Sequence, residues 1–268
     1  MFVPAKISME EVNLLPQYLL PKNIETSDAF YEQILEQSKV NGKIDGSVLS
    51  NLTFPFAKDH YDVFISYSHN DESIANRLCA YLSHKGLSCF LDSTIWHSAD
   101  DLLNVIDHQY SWSEDEPGYF DYEKRNFSTS HVHTMLSMAM LEAVRRSEFC
   151  LFIESDNSVT LEEGIKDHTL SPWIYAENLY IRNINPELPE RYKVRGLKTF
   201  SQGGILEQRE SEGNDLKVEY HINLDDFIRV YSGDFRVILS GTQILDNIYR
   251  RNGIIRQIAQ RIRNRLYD

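Results

Sequence analysis

YDVFISYSHNDESIANRLCAYLSHKGLSCFLD, residues 61–92, decides the fold. It opens with a compact run of β-formers, turns polar at 67–72, and continues with helical periodicity in which Ile74, Leu78 and Leu82 mark one face. Gly86 is the expected end of that helix, since glycine tolerates the left-handed conformation that closes many helices. LSCFLD (87–92) is a second strand-like run. A third, EFCLFIES (148–155), follows the helical segment HVHTMLSMAMLEAVRR (131–146), whose entry is marked by Ser128, Thr129 and Ser130. Strands alternating with helices read as βαβ units, hence an α/β protein with a parallel sheet covered by helices on both faces. Ligand crevices in such sheets lie beyond the carboxyl ends of the strands, here the polar segments 66–72, 92–130 and 155–172.

Outward from this core, residues 1–57 read as an N-terminal extension packed on a main domain of residues 58–240. Pro4, Pro16, Pro21 and Pro55 bound one expected helix near 28–40, capped by Thr26 or Ser27, with Phe30, Ile34 and Leu35 as its buried stripe. Residues 109–127 (QYSWSEDEPGYFDYEKRNF) are acidic and dense in aromatics, among them Tyr110, Trp112, Tyr119, Phe120, Tyr122 and Phe127. They read as an ordered insertion that shapes a site or a partner surface. VRGLKTF (194–200) and LKVEYHINL (216–224) read as later strands. Residues 241–268 read as an amphipathic helix, with Ile244, Ile248, Ile255, Ile258, Ile262 and Leu266 inward and Arg250, Arg251, Arg256, Arg261, Arg263 and Arg265 either solvated or serving as an interaction tail.

A formal net charge of −13 argues against general binding to nucleic acid or anionic membrane. No stretch approaches the roughly 18 consecutive apolar residues of a membrane span, and the amino-terminal residues do not have the pattern of a signal peptide. The expected location is the cytoplasm. Cys79, Cys89 and Cys150 show no metal or redox spacing and are expected as buried reduced thiols. His131 and His133, two apart on a helix, point about 200° apart and cannot chelate together, so no metal is implied. A Gly-rich phosphate fingerprint is also missing.

Three pieces in order, DVFISYS (62–68), the helix ending at Gly86 with the strand carrying Phe90 and Asp92, and SPWIYAE (171–177), resemble Toll/interleukin-1 receptor (TIR) domains. The likeness spans roughly 60–230. It implies a flavodoxin-like sheet, with the N-terminal extension and the insertion after the second strand as departures. The W-x-x-x-E spacing from Trp173 to Glu177 matches the place where NAD-cleaving TIR domains keep their catalytic glutamate. FLDSTIW (90–96) looks like the strand-to-loop junction of TIR proteins from Thoeris-type antiphage systems, which convert NAD into an ADP-ribose-derived messenger for a separate effector.

The resemblance makes Glu177 the catalytic residue, the competing reading being a solvated helix-surface glutamate. NAD would be substrate, with no cofactor. Cleaving the nicotinamide–ribose bond develops positive charge on the sugar, so one carboxylate suffices to stabilise the transition state, nicotinamide leaving without protonation. Trp173, one turn earlier, either walls the site or anchors the helix. Tyr67 and Ser68 align with residues near the substrate in animal NAD-cleaving TIR domains, although Ser68 stands where those have arginine; His69 either replaces it in part or is a loop histidine. Asp92 and Trp96 fall where the family's flexible loop begins, Trp96 stacking on a base, touching a neighbouring protomer or packing inside. The family likeness further implies a homo-oligomer formed through TIR–TIR contacts and a phage-derived trigger. The alternatives are a non-enzymatic TIR adaptor and a nucleotide-binding sensor without turnover.

Overall fold

Val3, Ala5 and Ile7 alternate along VPAKIS and are almost wholly buried, so this short segment forms a strand inside the sheet. The computed structural model describes residues 3–18, 28–54, 56, 58–91, 93–162, 165–184, 189–192, 220–257 and 260, with 93–98, 160–162, 165–167 and 190 described by backbone alone. Its strands are β1 (Val3–Ser8), β2 (Lys39–Val40), β3 (Lys43–Ile44), β4 (Tyr61–Ser66), β5 (Cys89–Leu91), β6 (Ser147–Glu154), β7 (Thr160–Glu162), β8 (Ile165–Thr169), β9 (Tyr220–His221) and β10 (Ile228–Arg229). Its helices are α1 (Met9–Asn13), α2 (Asp28–Gln37), α3 (Gly46–Thr53), α4 (Glu72–His84), α5 (Ser93–Tyr110), α6 (Tyr122–Arg145), α7 (Pro172–Asn183), α8 (Ser232–Phe235) and α9 (Thr242–Arg251).

Five strands form one sheet in the order β10-β1-β6-β4-β5, every neighbouring pair parallel. The expected α/β class is therefore present. Central β6 (SEFCLFIE) is buried on both faces, which explains its unbroken apolar run. On one face Phe64, Cys150 and Phe152 pack with α2, α3, α5, α6 and α7. On the other Val63, Ile65, Leu151, Ala5 and Ile7 pack with α1, α4, α8 and α9.

Several sequence expectations change. Residues 3–8, expected in an extension outside the main domain, lie between β6 and β10, bonded to β6 in register from Val3 with Phe149 to Ser8 with Glu154. In α2 the inward residue is Tyr31 rather than Phe30, which is 43% exposed; Ile34 and Leu35 are buried as expected. The polar segment expected at 92–130 is mostly helix, α5 over Ser93–Tyr110 and the start of α6 from Tyr122, because in α5 Ala99, Leu102, Val105 and Ile106 form a stripe that packs into the core. The 109–127 insertion is ordered, but its ends belong to α5 and α6, leaving 111–121 between them, with Trp112 bridged to Phe120. Of the two later strands, 194–200 lies outside the described residues. The other, 216–224, is described only from Tyr220, where β9 pairs with β8 in a sheet separate from the main one.

Gly86 does end its helix, at φ +84. Ile244 and Ile248 of α9 are buried, whereas Ile258, Ile262 and Leu266 lie outside the described residues. All three cysteines are free. Cys79 and Cys89 nonetheless meet across α4 and β5, where their hydrogen bond holds Cys79 below and Cys89 well above the ordinary thiol value. Among the described residues no helix is long and apolar enough to cross a membrane.

Candidate functional site

Ser171 caps α7, its Oγ accepting from the Ile174 N–H at 3.3 Å, and Pro172 follows at the first turn, where its missing N–H costs nothing. The helix then buries Ile174, Glu177, Asn178 and Ile181. That i, i+3, i+4, i+7 stripe faces the sheet, so two polar residues occupy places that apolar side chains ordinarily fill. Glu177 is 1% exposed, which rules out the solvated-surface reading.

A buried carboxylate must be hydrogen-bonded or it destabilises the fold by several kcal/mol. Ser66, the last residue of β4, donates its hydroxyl to Glu177 Oε2. This places the carboxylate at the carboxyl end of a central strand, where parallel sheets keep their crevices. Burial pushes the Cys150 thiol on β6 well above its ordinary value, and the charge of Glu177 adds to the effect. Tyr180, one turn after Glu177, is raised mainly by burial, with Ser137 opposing and Glu177 reinforcing the shift.

Asn178 completes the arrangement. Its Nδ2 donates to Asn223 O at 3.1 Å, and its Oδ1 accepts from Asn223 N–H at 3.2 Å. This two-point pair holds the segment 220–227 across the site. Ile222, Leu224 and Phe227 are buried there, and Tyr220 stacks on Tyr175 at 4.8 Å. With Ser66, Phe152 and Ile174 the segment encloses a cavity of about 10 Å³, room for one water at most. On its outer side Asn223 and Asp225, with Arg182 and His221, border an open recess of about 330 Å³. In this conformation a nucleotide cannot reach Glu177.

The other expected site residues are dispersed. Trp173 is half-buried and meets His133 edge-on at 5.9 Å, so it anchors α7 to α6 one turn before Glu177. Tyr67 and Ser68 directly follow Ser66 but are buried, whereas His69 is exposed. Asp92 lies outside the described residues, as does the Trp96 side chain, although the backbone of Trp96 is in α5. Among the described residues no group of three or more His, Cys, Asp or Glu is placed to hold a metal.

Three residues escaped the sequence reading, Ser66, Asn178 and Asp71, while Cys150 was expected only as a buried reduced thiol. Asp71 is buried and accepts from Ser155 Oγ and from Asn157 Nδ2 at 2.7 Å, tying the loop after β4 to the loop after β6. Asn178 alone carried a usable signal, since helical spacing from Ile174 puts it on the inward stripe. The chain matches no family model, no curated protein and no solved structure.

Proposed function

We propose that the chain is a TIR-type NAD-cleaving enzyme of the cytoplasm, with Glu177 as the reacting carboxylate. The observation that carries this reading is the buried Glu177, one turn after Trp173 on α7, held by Ser66 at the carboxyl end of β4. The spatial order β5-β4-β6 supports a flavodoxin-like arrangement, being the 2-1-3 order of that sheet, with β1 filling the place of the next strand.

In the reaction the bond between ribose C1′ and the pyridinium nitrogen breaks, and its electron pair leaves with nicotinamide, which becomes neutral. Positive charge spreads over C1′ and the ring oxygen of the sugar. The Glu177 carboxylate stabilises that charge more than it stabilises the ground state, and it accepts hydrogen bonds from the ribose hydroxyls. Water captures the cation and loses a proton, giving ADP-ribose; capture by an adenine nitrogen gives a cyclic isomer. A diffusible product of this kind suits a Thoeris-type role, in which a phage-derived trigger assembles the chain and the product reaches a separate effector.

The test compares nicotinamide release from NAD by the wild-type chain and by Glu177→Gln, with and without extract of infected cells. Release by the wild type well above the variant in either condition is expected; equal release in both conditions sinks the reading.

A second reading, a non-enzymatic adaptor, draws on the aromatics at 110–127. Tyr119, Tyr122 and Phe127 are 61–69% exposed beside Glu114, Asp115, Glu116 and Glu123. Deleting 112–120 discriminates, because loss of self-association with unchanged nicotinamide release assigns this tip to contact rather than to chemistry.

A further inference from the structure

Asn178 uses its side-chain amide in an unusual way for a buried helix residue. Both its donor and its acceptor go to one residue, the N–H and the C=O of Asn223. An amide that gives and takes one hydrogen bond from the same partner forms a cyclic two-point contact. A primary carboxamide presents the same complement, an N–H donor beside a carbonyl acceptor. The neighbour of Asn178 in sequence is Glu177, and both lie on the buried stripe of α7 facing the carboxyl end of β4. The remaining walls, Phe152, Ile174 and Ile181, are apolar and suit a flat ring.

We propose that Asn178 is the residue that recognises the carboxamide of the substrate's nicotinamide ring, and that the Asn223 backbone occupies this socket when no ligand is bound. The inference rests on the NAD-cleaving reading of Glu177. The segment 220–227 thus serves as an internal stand-in for the ligand. Ile222, Leu224 and Phe227 fill the space the pyridine ring would take, which accounts for the residual cavity of about 10 Å³. Binding exchanges one pair of amide hydrogen bonds for another, so the polar groups of Asn178 stay satisfied in both states and the exchange is nearly neutral in hydrogen-bond terms. A carboxylate in place of the carboxamide offers no donor to Asn178 Oδ1 and sets a negative charge beside Glu177, so the acid analogue is rejected.

Two measurements on the full chain test this. In the first, amide hydrogen exchange of residues 220–227 is followed with nicotinamide, with nicotinic acid and without ligand. Nicotinamide is expected to accelerate exchange in this segment at least about tenfold while β4 and β6 stay protected, nicotinic acid is expected to do nothing, and Asn178→Ala is expected to exchange fast without ligand and to ignore nicotinamide. Unchanged exchange with nicotinamide, or equal acceleration in β4 and β6, overturns the proposal. In the second, kcat/KM for NAD is compared with that for its nicotinic acid analogue. The wild type is expected to favour NAD by at least about tenfold, and Asn178→Ala to bring the ratio near one. Turnover with the same preference in Asn178→Ala overturns the carboxamide role and leaves the NAD reading standing. A segment that responds to nicotinamide in a chain that never cleaves NAD leaves the socket standing and removes the NAD reading.

Discussion

The Ser66 hydroxyl donates to Glu177 Oε2 across 111 residues of sequence, joining the end of a central strand to the middle of α7. Ser66→Ala removes that donor and leaves the buried carboxylate less well solvated. The expected cost is about 1–3 kcal/mol of unfolding free energy in a urea titration, with most of it restored by Ser66→Thr, which keeps the hydroxyl. Equal stability of Ser66→Ala and wild type would show that the bond contributes nothing net.

Cys150 connects that carboxylate to the pH dependence of stability. Burial, reinforced by the Glu177 charge, holds its thiol well above the ordinary value of 9.0. In the unfolded chain the thiol ionises near that value, whereas in the folded chain it stays protonated. The contribution is therefore complete below about pH 9 and is lost as pH rises further towards the folded-state value. Unfolding free energy measured from pH 8 to 10.5 is expected to fall, and Cys150→Ala to flatten part of the slope. A slope that does not change with the substitution assigns the loss to other groups, the buried Tyr249 among them.

Glu148 shows how a second buried carboxylate is held. It lies near the amino end of β6, 2% exposed, gripped by Arg191 at 2.6 Å on both oxygens and by Tyr249 Oη at 2.9 Å. Arg191→Ala removes the charge partner and leaves the carboxylate buried, for an expected cost of about 3–5 kcal/mol in chemical denaturation. Arg191→Ala combined with Glu148→Gln is expected to lose less than the single change. A double variant less stable than Arg191→Ala alone contradicts that account.

Ile7 tests the place of β1. Its side chain is fully buried against α1, α4 and α9 in the middle of the sheet. Ile7→Ala is expected to destabilise the whole chain by about 2–5 kcal/mol in one cooperative transition. A separate early transition, with the rest of the chain unaffected, would mean that residues 1–57 form an independent layer.

The parts legible from sequence are those whose signals are local. β4, α4, β6 and α6 announced themselves through period and through Gly86, and the crevice at the carboxyl ends followed from the parallel sheet. β1 was hidden because VPAKIS is short, carries Pro4 and Lys6, and takes its meaning from a partner strand more than 140 residues away. Pro4 in an interior strand runs against the usual restriction of proline to edges; it is the second residue of β1 and removes one backbone donor there. Glu177 could be singled out only by family likeness. Its partner Ser66 and the Asn178–Asn223 pair depend on long-range contacts that periodicity does not encode. All of α5 was missed because 92–130 read as one polar segment, although Ala99, Leu102, Val105 and Ile106 carry a helical stripe inside it.

The position of β1 also orders events during synthesis. Residues 3–8 leave the ribosome more than 140 residues before their partners 149–154 in β6. At about 5–20 residues per second the first strand waits on the order of ten seconds or more with both edges unpaired. The sheet therefore closes late, around a strand made before its partners, and the nascent chain before residue 154 is the stage at which it is most open to pairing with the wrong neighbour.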